Sequence, residues 1–258
     1  MAMTDRFAAQ LYTVREELKK DFPGVLRELH RMGWPAVQIS GLHGYDPGEI
    51  AAVMKECGLK TAGMHVPWAR LRDELDSVAA DARLFGTRDV VCPSLPDEFR
   101  TPDGYVLARG ALNDIARRLA PQGMRLSYHN HAFELAAFVN GRSALEYLLA
   151  PEPDNALLAE VDVFWVKKGG GDPLKFIRPY AGRMPIIHLK DMTADERATF
   201  AEIGTGVIEF LPILRWCELS GVEWYAVEQD SCPGDPLASL AVSLDNLRAL
   251  AKQIESAR

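Results

Sequence analysis

The sequence predicts an α/β protein of the single-domain (β/α)8 class, the TIM barrel. An amphipathic helix pattern and a short apolar strand pattern alternate along the chain, and eight such strands fit in its 258 residues. The strands are nearly continuous apolar runs, which is typical of parallel strands that are covered on both faces. The glycine-rich GxGxxG turn of an open dinucleotide-binding sheet does not follow the first strand, so a closed barrel is favoured over an open sheet.

The predicted strands follow one another at regular spacing. In order, they are RFAAQLYTV, WPAVQIS, LKTAGMHV, TRDVVCPS, MRLSYHN, ALLAEVDVFW, RMPIIHLKD and VEWYAVEQD. Six of the preceding helices are predicted to end at a glycine in the left-handed conformation: Gly33, Gly58, Gly86, Gly123, Gly182 and Gly221. Asp172 and Pro173 predict a helix start after the glycine-rich stretch VKKGGG. No linker divides the chain, so we expect one domain over residues 1–258.

Composition and charge favour a small-molecule substrate. The formal net charge is -7, which argues against nucleic acid or an anionic membrane as partner, because both are anionic and bind clusters of Lys and Arg. No apolar run reaches the roughly 18 residues that a membrane span needs, and the first residues lack the pattern of a signal peptide, so we expect a cytoplasmic protein. The four cysteines form no CxxC pair and are expected to be reduced thiols.

Ionisable and polar residues collect where the predicted strands end. They are Gln10, Gln38, His65, the cluster from His129 to Glu134, Asp162, His188, Lys190, Asp191 and Glu228. The active site of a TIM barrel lies at this carboxyl end of the strands. A carboxylate at the end of an apolar strand costs desolvation free energy unless a cation or hydrogen bonds compensate it. Several such carboxylates at one mouth therefore indicate a bound cation.

The predicted metal ligands come from four strand ends: Glu134, Asp162, His188 and Glu228. Three carboxylates and one imidazole suit one divalent ion, Mn²⁺, Mg²⁺, Co²⁺ or Zn²⁺. Each residue also has a purely structural alternative. His188 would be a hydrogen-bonded core histidine, Asp162 would cap the following loop, and Glu228 would pair with Lys190.

The chain resembles the sugar phosphate isomerase/epimerase family, the xylose isomerase-like TIM barrels. The similar stretches include QLYTVRE, GMHVPW, YHNHAFE, EVDVFWVKKGGGDP, IIHLKDM and YAVEQD. The resemblance places the ligands on the same four residues, although His129 occupies the place where epimerases have their fifth-strand glutamate. Glu134 is the expected ligand, with His129 or His131 as the alternative. Trp165 replaces a histidine of many relatives, which implies one metal ion rather than the zinc cluster of DNA-repair endonucleases.

The resemblance implies a metal-dependent isomerase or epimerase that moves a proton next to the carbonyl of a keto-sugar. Glu134 and Glu228 would exchange the proton from opposite sides of the substrate. The residues expected to contact this carbohydrate are His65, His129, His131, Gln38, Trp165 and Lys190. A dehydratase or lyase acting on a keto-sugar, keto-glycoside or inosose would use the same apparatus, and a non-catalytic carbohydrate-binding barrel is the alternative from another class. Assembly into homo-oligomers is left open.

Overall fold

Eight parallel strands close into one barrel in the computed structural model, which describes residues 2–256. The barrel strands are β1 (Phe7–Gln10), β2 (Ala36–Ile39), β3 (Lys60–His65), β4 (Asp89–Cys92), β5 (Arg125–His129), β6 (Leu158–Asp162), β7 (Ile186–Leu189) and β8 (Trp224–Val227). Each strand pairs with its neighbours in sequence, and β1 pairs with β8 to close the ring. The predicted (β/α)8 barrel is confirmed, and the open sheet is excluded.

Helices cover the outside of the barrel. They are α1 (Arg15–Met32), α2 (Pro47–Cys57), α3 (Trp68–Asp73), α4 (Leu75–Leu84), α5 (Pro102–Leu119), α6 (Phe133–Ala136), α7 (Ala144–Leu149), α8 (Val163–Lys168), α9 (Pro173–Ile177), α10 (Phe210–Ser220) and α11 (Pro236–Glu255). Two short antiparallel pairs lie outside the barrel: Phe138–Val139 with Arg142–Ser143, and Asp191–Met192 with Phe200–Ala201. None of the helices in the described range is long and apolar enough to cross a membrane.

Local sequence signals explain where the helices begin and end. All six glycines predicted at helix ends have positive φ angles, between 68° and 93°. Asp172 caps α9 by accepting a hydrogen bond from the backbone N–H of Lys175, and Pro173 is the first residue of that helix. These helix-ending and helix-starting signals return the chain to the barrel.

The floor of the barrel is filled by small and apolar side chains. Ala8 and Ala36 pack with Trp224 in the interior, and Val91 and Ile186 pack against the same indole. Polar side chains take over towards the carboxyl ends of the strands, where Gln10 of β1 lies beside Gln38 of β2. The apolar floor therefore supports a polar layer at the mouth.

Candidate metal centre

Strand register brings the ionisable side chains together. His129 of β5 lies opposite Glu160 of β6, and Asp162, two residues further along β6, lies opposite His188 of β7. Side chains two residues apart on a strand point to the same face, so Glu160 and Asp162 both point into the barrel. Glu228 directly follows β8, next to His188.

Among residues 2–256, two overlapping groups of side chains could hold a metal ion. The outer group consists of His129, Asp162, His188 and Glu228, and the inner group consists of His65, His129, Glu160 and His188. In each group, one potential ligand atom from every residue lies within 4.8 Å of the others. Asp162, His188 and Glu228 of the outer group are three of the four ligands that the sequence predicted.

The outer group has short contacts between its potential ligand atoms. His188 Nδ1 lies 3.1 Å from Glu228 Oε2 and 3.8 Å from Asp162 Oδ2. His129 Nε2 lies 4.0 Å from the same Asp162 oxygen. Asn130 helps to position Asp162, because its side-chain oxygen accepts a hydrogen bond from the backbone N–H of Asp162.

Lys190 supplies one positive charge beside the outer group. Its Nζ lies 3.0 Å from Asp162 Oδ2, 3.0 Å from Glu228 Oε2 and 3.1 Å from Asp230 Oδ1. Three carboxylates therefore face one ammonium group. His188 adds a second positive charge beside them: burial lowers its pKa, but Glu160 and Glu228 outweigh burial and raise the pKa to about 10. Burial raises the pKa of Asp162, and burial together with Glu228 raises the pKa of Asp230 to about 6.

The residues of the outer group fit a divalent cation on two counts. The carboxylates of Glu160, Asp162, Glu228 and Asp230 outnumber the two cations beside them, Lys190 and His188, and a buried charge without a partner is strongly unfavourable. In addition, Asp162 Oδ2 is buried and makes no hydrogen bond to the two imidazole nitrogens that face it, His188 Nδ1 at 3.8 Å and His129 Nε2 at 4.0 Å, although Lys190 Nζ lies 3.0 Å away. Two carboxylates and two imidazoles are the donor types that Mn²⁺, Co²⁺ and Zn²⁺ accept.

The inner group centres on Glu160. Glu160 Oε1 lies 2.6 Å from His65 Nε2, 2.9 Å from His188 Nε2 and 3.4 Å from His129 Nδ1. Burial raises the pKa of this carboxyl group, but His188 and His65 outweigh burial and hold the pKa well below its usual value. Glu160 is therefore ionised in the middle of a ring of imidazoles.

A cavity of about 410 Å³ opens above the two groups. It is lined by Tyr12, His65, Pro93, Ser94, His129, His131, Trp165, Phe200, Glu228 and Asp230. Burial, with a further contribution from Lys190, lowers the pKa of His131 to about 4, so this imidazole is neutral near pH 7. Its Nδ1 atom is buried without a hydrogen-bond partner in the described structure. The cavity thus combines the aromatic side chains of Tyr12, Trp165 and Phe200 with imidazole and carboxylate groups.

Glu134 does not lie with the other three predicted ligands, and its expected placement has to be corrected. Its side chain is completely buried, with Oε1 accepting a hydrogen bond from Tyr128 OH (2.7 Å) and Oε2 accepting one from His131 N (2.8 Å). Glu134 belongs to neither potential metal-binding group, whereas the alternative fifth-strand residue His129 belongs to both. Burial raises the pKa of Glu134 to about 7.

The predicted substrate-contacting residues divide into two layers. His65, His129, His131 and Trp165 line the cavity, as expected for residues that contact a substrate. Gln38 and Lys190 do not line it, because both are completely buried below it. Their placement is therefore also corrected.

Two residues of the site were missed by the sequence analysis. Glu160 lies within strand β6 rather than at its end, and Asp230 lies two residues beyond Glu228. The spacing of Glu160 and Asp162 was a usable signal, because residues i and i+2 of a strand share a face.

Comparisons with known proteins agree with the fold and with the motifs. The chain is 25% identical over 249 aligned positions to the inosose dehydratase of Geobacillus kaustophilus, a match that covers 81% of this chain and 80% of that protein. A match to the inosose dehydratase of Clostridium beijerinckii covers only half of that protein's length. No protein-family model matches the chain.

Solved structures give the same fold. A sugar phosphate isomerase/epimerase from Parabacteroides distasonis superposes with a TM-score of 0.81 and 21% identity, covering 94% of this chain and 98% of that one. An L-ribulose 3-epimerase superposes with a TM-score of 0.70 and 18% identity, covering 99% of this chain and 96% of that one. These named relatives are enzymes, and the resemblance expected from the motifs is confirmed. The chain has the fold of the xylose isomerase-like TIM barrel proteins.

Proposed function

We propose that this protein is a divalent-metal-dependent dehydratase that removes a proton next to the carbonyl of a keto-sugar or keto-inositol and eliminates water. The observation that carries this proposal is the outer group of His129, Asp162, His188 and Glu228 below a cavity of about 410 Å³. Inosose dehydratase, the activity named for the Geobacillus relative, is an elimination from a polyhydroxylated ketone and supports the choice of reaction.

The four residues of the outer group would hold the ion through His129 Nε2, His188 Nδ1 and one oxygen each of Asp162 and Glu228. Bound there, a divalent ion supplies Lewis-acid polarisation of a substrate carbonyl oxygen, which makes the neighbouring C–H more acidic.

Glu228 is the proposed base. It lines the cavity, and its contacts to His188 and Lys190 both use Oε2, so Oε1 would accept the substrate proton. Burial alone raises the pKa of Glu228, but Lys190 and His188 reverse this effect and keep the carboxyl group ionised. Asp230, which shares Lys190 with Glu228 and also lines the cavity, is placed to return a proton to the departing hydroxyl group.

Neutral imidazoles and aromatic rings would orient the substrate. His131 lines the cavity as a neutral imidazole, so its ring would contact the substrate there. Trp165 and Phe200 present ring surface on the same wall, with their centroids 5.8 Å apart. Polar groups that fix orientation beside an apolar face are the usual construction of a small-molecule site.

The placement of Glu134 favours elimination over two-glutamate epimerisation. Exchange of a proton between two facing glutamates needs both of them at the substrate, but both oxygens of Glu134 are held by protein donors and its side chain is completely buried. Epimerisation is the second candidate, since Glu228 and Asp230 both line the cavity, and Asp230 in its protonated form would return a proton to the carbon from which Glu228 removes one. The common first step of both reactions is removal of the proton next to the carbonyl.

One experiment tests both the removal of the proton next to the carbonyl and the subsequent loss of water. Protein reconstituted with Mn²⁺ or Co²⁺ is incubated with an inosose in D₂O, and the ketone is followed by NMR and mass spectrometry. We expect loss of one water from the substrate and, in the remaining substrate, deuterium next to the carbonyl. Glu228→Gln should abolish both signals, while Glu134→Gln should retain them.

The alternatives give different results. Deuterium incorporation with a changed configuration and no loss of water would support the epimerase. Binding of the ketone with neither exchange nor product, across a panel of inososes and ketoses, would contradict the enzymatic proposal and favour a carbohydrate-binding barrel.

A further inference from the structure

Below the cavity, a chain of hydrogen bonds runs from Gln10 through Gln38 to Glu160, and the donor of each bond can be assigned. The backbone N–H of Tyr12 donates to Gln10 Oε1 (2.8 Å), so the amide nitrogen of Gln10 is the donor towards its other neighbours. Gln10 Nε2 donates to Gln38 Oε1 (3.1 Å) and lies 3.2 Å from His65 Nδ1. Gln38 Nε2 in turn donates to Glu160 Oε2 (2.5 Å). The orientation of both amide groups follows from this backbone donor and this terminal carboxylate.

The donor direction of this chain fixes a proton on Nε2 of His188. His188 Nε2 lies 2.6 Å from Gln38 Oε1 and 2.9 Å from Glu160 Oε1. Both oxygens can only accept, so Nε2 must carry the hydrogen. His188 Nδ1 faces the carboxylates of Glu228 and Asp162 at 3.1 and 3.8 Å. Carboxylate oxygens only accept, so Nδ1 also carries a proton in the metal-free protein. A divalent ion between the two carboxylates would replace this proton and bind the Nδ1 lone pair, while the Nε2 proton stays on its own acceptors.

His129 also faces Glu160, at a longer distance. Its Nδ1 lies 3.4 Å from Glu160 Oε1 without forming a hydrogen bond in this structure, while its Nε2 faces Asp162 in the outer group. A histidine that binds a metal through one ring nitrogen usually donates the N–H of the other to a carboxylate or carbonyl group, and this contact fixes the tautomer and the ring orientation. Glu160 is the carboxylate that both ligand candidates share.

We propose that Glu160 is a positioning residue that aims His129 Nε2 and His188 Nδ1 at a divalent ion in the outer group, supported by the Gln10–Gln38 amide chain. The inference rests on the proposed metal site. In this proposal the inner group orients the ligands of the outer group and binds no ion of its own. His129 and His188, which belong to both groups, therefore bind a single ion. Glu160 is completely buried and outside the set of cavity-lining residues, which agrees with a supporting role.

The test is a Co²⁺ titration of chelator-treated protein, followed by visible absorption, with Glu160→Gln compared with the wild type. We expect one ion per chain in both proteins, an affinity lower by about 10- to 100-fold in the variant, and shifted absorption bands. Asp89→Asn is the matched control: this buried carboxylate of β4 pairs with Arg125 and belongs to neither group. It should lower the thermal stability but leave the Co²⁺ affinity unchanged.

A tautomer measurement separates positioning from a general loss of structure. In Zn²⁺-loaded protein with ¹⁵N-labelled histidine, we expect His188 to carry its proton on Nε2 in the wild type and to lose this preference in Glu160→Gln. Gln38→Met provides a second variant if Glu160→Gln does not fold, and it should also weaken Co²⁺ binding.

Three results would overturn the inference. Co²⁺ affinity within about twofold of the wild type in a folded Glu160→Gln variant would remove the positioning role, as would a wild-type His188 proton on Nδ1. Complete loss of the ion from a folded variant would make Glu160 a direct ligand. Failure of the wild type itself to bind Co²⁺ would instead contradict the proposed function, so the two failures are distinguishable.

Discussion

Ionisation of Glu134 should make the folded protein less stable as the pH rises. The carboxyl group is completely buried, and burial raises its pKa from the model-compound value of 4.5 to about 7. Below pH 4.5 the group is protonated in both the folded and the unfolded state and contributes no pH dependence. Between pH 4.5 and 7 the unfolded chain releases the proton first, so the free energy of unfolding falls; above pH 7 the loss is complete, at about 3 kcal/mol.

Glu134→Gln isolates this contribution. Gln retains an oxygen that can accept the hydrogen bond from His131 N and an amide that can donate to Tyr128 OH, but it does not titrate in this range. Urea unfolding of both metal-free proteins at pH 5, 6, 7 and 8 gives the difference in the free energy of unfolding. We expect the wild type to lose roughly 2–3 kcal/mol relative to the variant from pH 5 to pH 8.

A difference that stays flat over this range would refute the reasoning. It would mean that Glu134 ionises in the folded protein as readily as in the unfolded chain, as a solvated carboxylate does.

Three further substitutions test the surroundings of the site. Lys190→Met leaves Asp162 and Glu228 without their shared ammonium group, so the metal-free protein should lose about 3–5 kcal/mol of stability. Co²⁺ should raise the melting temperature of this variant more than that of the wild type. An unchanged melting temperature of the metal-free variant would contradict this prediction. Asp191→Ala removes the acceptor of four backbone N–H groups and should cost about 3–5 kcal/mol in urea unfolding. Gly206→Ala places a Cβ 2.1 Å from a backbone carbonyl oxygen and should cost about 1–3 kcal/mol, whereas wild-type stability would show that this loop can adjust.

The barrel and one wall of the site could be predicted from the sequence because they depend on local patterns. Apolar strands alternating with glycine-terminated helices specify a parallel barrel, and parallel strands bring their carboxyl ends to one mouth. Asp162, His188 and Glu228 lie at or directly beside strand ends, so position along the chain was sufficient to place them together.

Glu134 could not be placed in this way. It lies five residues beyond His129, the last residue of β5, and the intervening turn leads into the short helix α6. The direction of its side chain is decided by Tyr128 OH and the His131 N–H, two contacts that depend on tertiary packing. A sequence motif shows that a carboxylate is near the site but not which way it points.

The inner group was missed for a different reason. A need for a cation was predicted only for carboxylates at strand ends, and Glu160 lies two residues before the end of β6. Its partners His65 and Gln38 come from β3 and β2, far away in sequence, so the need for a buried carboxylate is visible only after the barrel closes. Lys190 was likewise expected at the substrate, but the ring of carboxylates around it holds its ammonium group below the cavity.

The metal content of purified protein tests the central claim most directly. Plasma mass spectrometry of the wild type, His129→Ala and Glu134→Gln, each purified without chelator and reconstituted with Mn²⁺ or Co²⁺, compares the two candidate fifth-strand ligands. The outer group predicts about one ion per chain in the wild type and in Glu134→Gln, with a large loss in His129→Ala. Retention of the ion in His129→Ala together with its loss in Glu134→Gln would contradict the proposed centre.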